Sequence, residues 1–254
     1  MLVFFALLVV TNSLVVAEHT DLVGMDLPLL IRCSRQASPK HIGICLKQSI
    51  NSMKHYLETG IPNMEIPSFE PYYTERYEFI PKGENNGTLD LTDVRVYNLT
   101  TFVIKQVEVN PNVSQIKLEV HFPSIRFFAM YDINATIFGM YLQRRGHGID
   151  GHFIDTLANV TIDGHYVIKI SNEEEYFSVR KVSVELSMSE AKINLDNKIN
   201  PDPLVNNINS FLTDKSKAVA HNIRPQLQMA AARIIRVITN KIYMQYPIRF
   251  LMPT

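Results

Sequence analysis

Residues 116–137 read IKLEVHFPSIRFFAMYDINATI. In the first third, Ile116, Leu118, Val120 and Phe122 alternate with Lys117, Glu119 and His121. Period two of this kind makes a strand with one dry face and one wet face. The second half carries an orientation marker. Asn134 heads an Asn-Ala-Thr sequon, and a glycosylated asparagine has to face outward. If 127–137 is one unbroken strand, Asp132 and Thr136 face out with Asn134, while Phe127, Ala129, Tyr131, Ile133, Ala135 and Ile137 face in. The same test at Asn159 turns Ala158, Val160 and Ile162 inward. Both inward sets are mostly apolar, so the parity is self-consistent. Further on, Val182, Val184, Leu186 and Met188 alternate with Ser183, Glu185 and Ser187. From about residue 72 to 200 the chain therefore reads as long antiparallel strands joined by hairpins. The expected turns are Asn110-Pro111-Asn112, Gly146-His147-Gly148 and Asp163-Gly164.

Helical periodicity flanks this region on both sides. Ser38 is a good N-cap and Pro39 a good first helical residue. Ile42, Cys45, Leu46, Ile50, Met53 and Leu57 then share one face, and Gly60 and Pro62 end the helix. The stretch 60–71 holds three prolines, which extend the residues before them, and Ile61, Ile66 and Phe69 are available to anchor it. Near the C-terminus, Thr213 or Asp214 is expected to cap a helix with apolar positions Val219, Ile223, Leu227, Ala230, Ala231, Ile234, Ile238 and Ile242. Some thirty residues span about 45 Å, with a kink expected at Pro225. From Lys215 to Thr254 there are seven Lys or Arg and no Asp or Glu.

A long sheet with one apolar face and a long amphipathic helix have a simple joint solution, in which the sheet curls around the helix. The expected class is α+β, with residues 18–254 as one elongated domain. The expected lining is Phe127, Ala129, Tyr131, Ile133, Ile137, Val160, Val184 and Leu186 from strands, and Ile223, Leu227 and Ile234 from the helix. An ordinary packed core without a cavity is the alternative. Tyr131 is the one phenol in an aliphatic row, and its buried hydroxyl needs a partner, from either a backbone group or a ligand oxygen.

Composition narrows the function classes. The 254 residues are 46% apolar and 20% charged, and 25 Lys and Arg balance 25 Asp and Glu. Zero net charge argues against nucleic-acid binding through a general basic field. Residues 1–17, MLVFFALLVVTNSLVVA, are uncharged, with an apolar run interrupted at Thr11-Asn12-Ser13. They read as a secretory signal peptide cleaved after Ala17; a membrane anchor needs roughly 20 continuous apolar residues. No later stretch approaches a span, so no stable membrane insertion is expected. Sequons at Asn86, Asn98, Asn112, Asn134 and Asn159 agree with passage through the secretory route to the extracellular space. In that oxidising setting Cys33 and Cys45, the two cysteines, are expected to pair. So short a loop contributes roughly 2–3 kcal/mol.

Motifs for catalysis are wanting. The chain has no G-x-S-x-G, H-E-x-x-H, Walker A or dinucleotide fingerprint, and neither metal nor cofactor is expected. Gly146-His147-Gly148 reads as a hairpin tip. His147, His152 and His165 sit beside turn glycines and read as solvated loop residues, and Glu173-Glu174-Glu175 as an exposed turn. The basic helix end suits either a solvated face or contact with an anionic membrane.

The order of features, and above all GIPNMEIPSFEPYY at 60–73, resembles the takeout and juvenile hormone-binding protein family of insects. HFPSIRFFAMYDINATIFGMYLQRRGHG at 121–148 is similar to that family's strand pair, and YMQYPIRFLMP at 243–253 to its ending. The resemblance implies a tubular lipid-binding fold, a curved antiparallel sheet around a long helix, with the Cys33–Cys45 bond near one end of the tube. It further implies carriage of a small hydrophobic molecule, terpenoid or fatty-acid-like, in an interior channel, with no catalytic residues. A monomer is expected, with receptor or membrane contact at delivery. The second reading is a secreted interaction protein of the same fold, its interior filled by its own side chains and its surface the working part. A third, an esterase on a lipid-like substrate, lacks a recognisable nucleophile.

Overall fold

The computed structural model describes residues 31–79, 87–111, 114–137 and 139–254. The signal peptide expected at 1–17 lies outside them. Helix α1 (Pro39–Ser52) begins as the sequence requires, with the Ser38 hydroxyl accepting from the His41 N–H. The single helix expected as far as Leu57 is two: the path breaks at Met53, and α2 (Lys54–Thr59) ends at Gly60, whose φ of 83° no ordinary side chain tolerates. In α1, Gly43 lies directly on the Val107 carbonyl of a neighbouring strand, so a methyl there would drive the helix off the sheet.

The strands are β1 (Tyr72–Phe79), β2 (Gly87–Tyr97), β3 (Val103–Asn110), β4 (Gln115–Ile137), β5 (Met140–Lys169), β6 (Glu174–Ser187) and β7 (Glu190–Leu195). All described pairings are antiparallel. The order is β1-β2-β4-β5-β6, with β3 paired to the start of β4 and β7 to the middle of β5. Two expected turns are corrected here. Gly146-His147-Gly148 and Asp163-Gly164 lie inside β5, and so do His147, His152 and His165. The chain reverses instead around Gly139. Glycine within a long strand marks a bulge or close approach rather than a turn, and both uses occur. Gly146 has φ 67° where the β4–β5 register slips, and its N–H donates to Asp132 Oδ1 at 2.7 Å. Gly164 sits at a second slip, beneath the ring of Phe177.

The inward parity around Asn134 holds: Ala129, Tyr131, Ile133 and Ala135 are buried and Asn134 is exposed. So does that around Asn159, with Ala158, Val160 and Ile162 buried. Along β4, however, the inward set changes from even to odd numbers between Phe122 and Ile125. Opposite, β5 changes between Phe153 and Thr156, at Asp155, whose φ is 52°. Both long strands switch faces together. The interior is thereby divided into two apolar clusters, one about Tyr131 and Leu142 and the other about Val160 and Phe177.

Helix α3 (Pro203–Asp214) precedes α4 (Ser216–Gln245), and α5 (Ile248–Leu251) follows. The expected cap of the long helix is corrected: Thr213 and Asp214 close α3, and Lys215 separates the two helices. Helix α3 was legible in its Asp202 N-cap, Pro203 and inward Val205, Ile208 and Leu212. Pro225 lies within α4 and does not end it. A 30-residue strand spans about 100 Å when extended and a 30-residue helix about 45 Å, so β5 far outruns α4, whose main neighbours in the sheet are β6 and β7. Both edges of the sheet reach this one helix. From β1, Tyr77 donates its hydroxyl to the Gln226 carbonyl at 3.2 Å. From β6, the Val179 N–H donates to Asn240 Oδ1 at 2.8 Å, and Asn240 Nδ2 returns a bond to the Val179 carbonyl at 3.0 Å. Asn209 of α3 makes the same pair with Leu195 of β7, at 2.9 and 2.8 Å. Each asparagine amide takes the place of a missing neighbouring strand, which is how the curled sheet closes without pairing to itself.

The Cys33–Cys45 disulfide is present, at the end of the molecule where α4 finishes. There Cys33 and Arg35 donate backbone bonds to Leu251 and Pro253. Of the acidic run, Glu173 is exposed, while Glu174 pairs with Arg249 and Glu175 with Arg35. Glu70 anchors the proline-rich connector by accepting from the Asn98 N–H and from the Thr100 N–H and hydroxyl.

Candidate functional site: the interior of the curled sheet

The expected lining residues fall into two groups. Ala129, Tyr131 and Ile133 of β4 are buried in the first cluster, and Phe127, Ile223 and Leu227 pack against it. Val160 of β5 and Val184 of β6 are buried in the second, with Leu186 against it. Ile234 is half-buried and belongs to neither; Ala231, Ala232, Ile235, Ile238, Ile242 and Tyr243 are the α4 residues that pack on the second cluster. The side chain of Ile137 lies outside the described residues. Among the sequons, Asn134 and Asn159 are exposed and Asn98 is half-buried. Asn86 and Asn112 also lie outside the described residues.

Sequence parity alone does not say how the aromatic residues sit. Phe127 stacks on Phe153 with centroids 5.2 Å apart, made possible by Gly151, over which the Phe127 ring lies. In the second cluster Phe177 meets Tyr243 edge to face at 5.2 Å.

Among the described residues, three buried side-chain polar atoms have no hydrogen-bond partner. Tyr131 has no exposed surface, and its hydroxyl is buried with no hydrogen-bond partner among the described residues. Thr156 Oγ1 is likewise buried and unpartnered, on the inward face of β5 where the parity switches. Arg224 Nε on α4 is the third. A buried polar atom without a partner costs about 1–3 kcal/mol, so such atoms are rare in folded proteins. Tyr131 was singled out by its sequence, and the backbone partner open to it there is not found. Thr156 was missed, although counting back three from outward Asn159 points it inward.

Burial pushes the Tyr131 phenol up, opposed by Arg144 and reinforced by Asp196 and Asp202. Burial raises Tyr77 as well, against the nearby charge of Arg233, and pushes Tyr243 up to about 12. No nucleophile–base pair lies among the interior residues described above. They form an apolar interior in which two hydroxyls, those of Tyr131 and Thr156, lack a protein partner among the described residues.

Comparison with known proteins places this geometry. Among curated proteins no sequence matches the chain. The crystal structure of Takeout 1 from Epiphyas postvittana superposes with a TM-score of 0.76 at 14% identity, over 88% of this chain and all of that one. A lipopolysaccharide binding protein structure matches at a TM-score of only 0.33 and 10% identity, over 75% of this chain and 37% of that one. The curved sheet and long C-terminal helix are thus the Takeout fold. The model of the haemolymph juvenile hormone binding protein family matches residues 5–253, and the chain belongs to that family.

Proposed function

We propose that the protein is a secreted carrier that holds a small hydrophobic ligand, terpenoid or fatty-acid-like, between the curled sheet and α4. The observation that carries this reading is the pair of buried, unpartnered hydroxyls, Tyr131 and Thr156, set in an otherwise apolar inward face. A ligand oxygen at either one removes an existing penalty, so binding gains from those groups without adding a polar cost. The remaining affinity comes from partition. Each buried methylene is worth roughly 0.8 kcal/mol, so about fifteen carbons supply of order 10 kcal/mol gross before association costs. No chemistry is required of the protein, and it acts as a binding protein rather than an enzyme. Residues 18–254 form the working unit, and residues 1–17 direct it to the secretory route. The disulfide and outward Asn134 and Asn159 support an extracellular destination.

The test is mass spectrometry of an organic extract of the purified, denatured protein. A co-purifying lipid-like molecule with one or two oxygens at one end is expected. A ligand-free extract, together with failure to displace a fluorescent fatty acid, contradicts the reading.

A further inference from the structure

Helix α4 has a second face that the interior does not use. Arg233, Arg236, Val237, Asn240, Lys241 and Met244 recur at helical spacing and line a groove of about 730 Å³ between α4 and β6. The opposite wall is Arg180, Lys181 and Val182. Two consecutive basic side chains reach the same groove because of the bulge at Asp163/Gly164. Lys181 pairs with Asp163 and Val179 with Gly164, leaving Arg180 as the extra residue, and both cations are exposed. Below them the Asn240–Val179 bonds fix the helix to the strand edge, so the groove's width is set by the fold.

Five cations therefore converge on one concavity. Lys241 is paired with Glu65 at 3.1 Å; Arg180, Lys181, Arg233 and Arg236 form no ion pair among the described residues. Like charges held this close are unfavourable without a counter-charge. The groove is also partly apolar: Val237 is 50% exposed within it, and Met229, two turns before Val237 on the same helical stripe, is 47% exposed. The chain as a whole carries no net charge, so attraction to an anion has to be local. Clustered Lys and Arg around exposed aliphatic side chains suit an anionic head joined to an apolar chain at a bilayer surface. An acidic peptide would use the cations and leave Val237 and Met229 in water.

We infer that the α4–β6 groove docks the protein on membranes by taking the phosphate head of an anionic phospholipid. Val182 and Ala232 border both this groove and the second interior cluster, but the cations Arg180, Lys181, Arg233 and Arg236 are exposed, so the inference stands whether or not the interior holds a ligand.

Flotation of the full chain with vesicles tests it. Binding is expected to phosphatidylcholine–phosphatidylserine vesicles and not to phosphatidylcholine alone, and should weaken as salt shortens the Debye length. R233Q/R236Q should lower partition about thirtyfold, since each basic residue near such a surface contributes about a factor of five. Lys105→Gln/Lys117→Gln, which removes the same charge from β3 and β4, outside the groove's lining, should leave it within about twofold. Thermal unfolding of each variant separates a lost site from a lost fold. Absence of binding to anionic vesicles overturns the proposal. So does equal loss in the two double variants, or binding of polyglutamate that R233Q/R236Q abolishes just as completely.

Discussion

Tyr131 and Thr156 concentrate the functional argument in two atoms. Because their hydroxyls have no protein partner, removing them should not harm the fold. Tyr131→Phe and Thr156→Val are expected to leave the denaturation midpoint unchanged or to raise stability by up to about 1–3 kcal/mol. The same variants should weaken oxygen-bearing ligands several-fold while sparing the matching hydrocarbon, read by displacement of a fluorescent fatty acid. Loss of stability in Tyr131→Phe would show that the phenol already has a partner. Asn240 is the contrasting case. Asn240→Ala strips two bonds from a Val179 backbone that is 2% exposed. It should cost about 2–4 kcal/mol in chemical denaturation, where a surface asparagine would cost almost nothing. Tyr131 was legible because one polar residue in an apolar parity row stands out. Asn240 was not, since nothing in ITNKIY distinguishes an amide that caps a strand edge from one in water.

At the scale of elements, strand and helix periods were readable and punctuation was not. The alternation at 116–122, 127–137 and 182–188 placed inward and outward faces correctly where side chains are described. Gly146 and Gly164 misled because a glycine signals permissive backbone without saying whether the chain reverses or only bulges. The strand-face switch opposite Asp155 was equally hidden, since it depends on two strands changing together. Helix α3 reads as the cap of α4 because Lys215 alone separates the two and no Gly or Pro marks the junction. The disulfide ties the segment before α1 to α1, and Cys33 and Arg35 of that segment bond in turn to Leu251 of α5 and to Pro253. Replacing both cysteines by serine should lower stability by roughly 2–3 kcal/mol. Hydrogen exchange should rise at 33–35 and 248–253 well before the β4–β5 pair is affected, because the tethered segment opens locally. Uniform acceleration across β4 and β5 would mean that the bond supports the entire fold.

For the whole molecule, closure of the sheet on α4 puts tyrosines at several stations, and their titration links stability to pH. Burial raises Tyr72, Tyr77, Tyr131, Tyr243 and Tyr246, with Tyr243 carried up to about 12. A phenol whose folded value is raised stays protonated in the fold while the unfolded chain ionises near 10. The stabilising effect is therefore complete below pH 10 and is lost as pH rises from about 10 toward 12. Unfolding midpoints measured across that window should fall steeply, and Tyr243→Phe should shallow the fall. The central claim concerns the interior itself, and a chain-length series tests it most directly. Saturated acids of increasing length are titrated against a bound fluorescent fatty acid. Partition into an apolar interior predicts one saturable site per chain, with affinity rising up to about fourfold per added methylene until the ligand outgrows the interior. Absence of saturable binding, or an affinity indifferent to chain length, would contradict a carrier and favour a protein whose interior is filled by its own side chains.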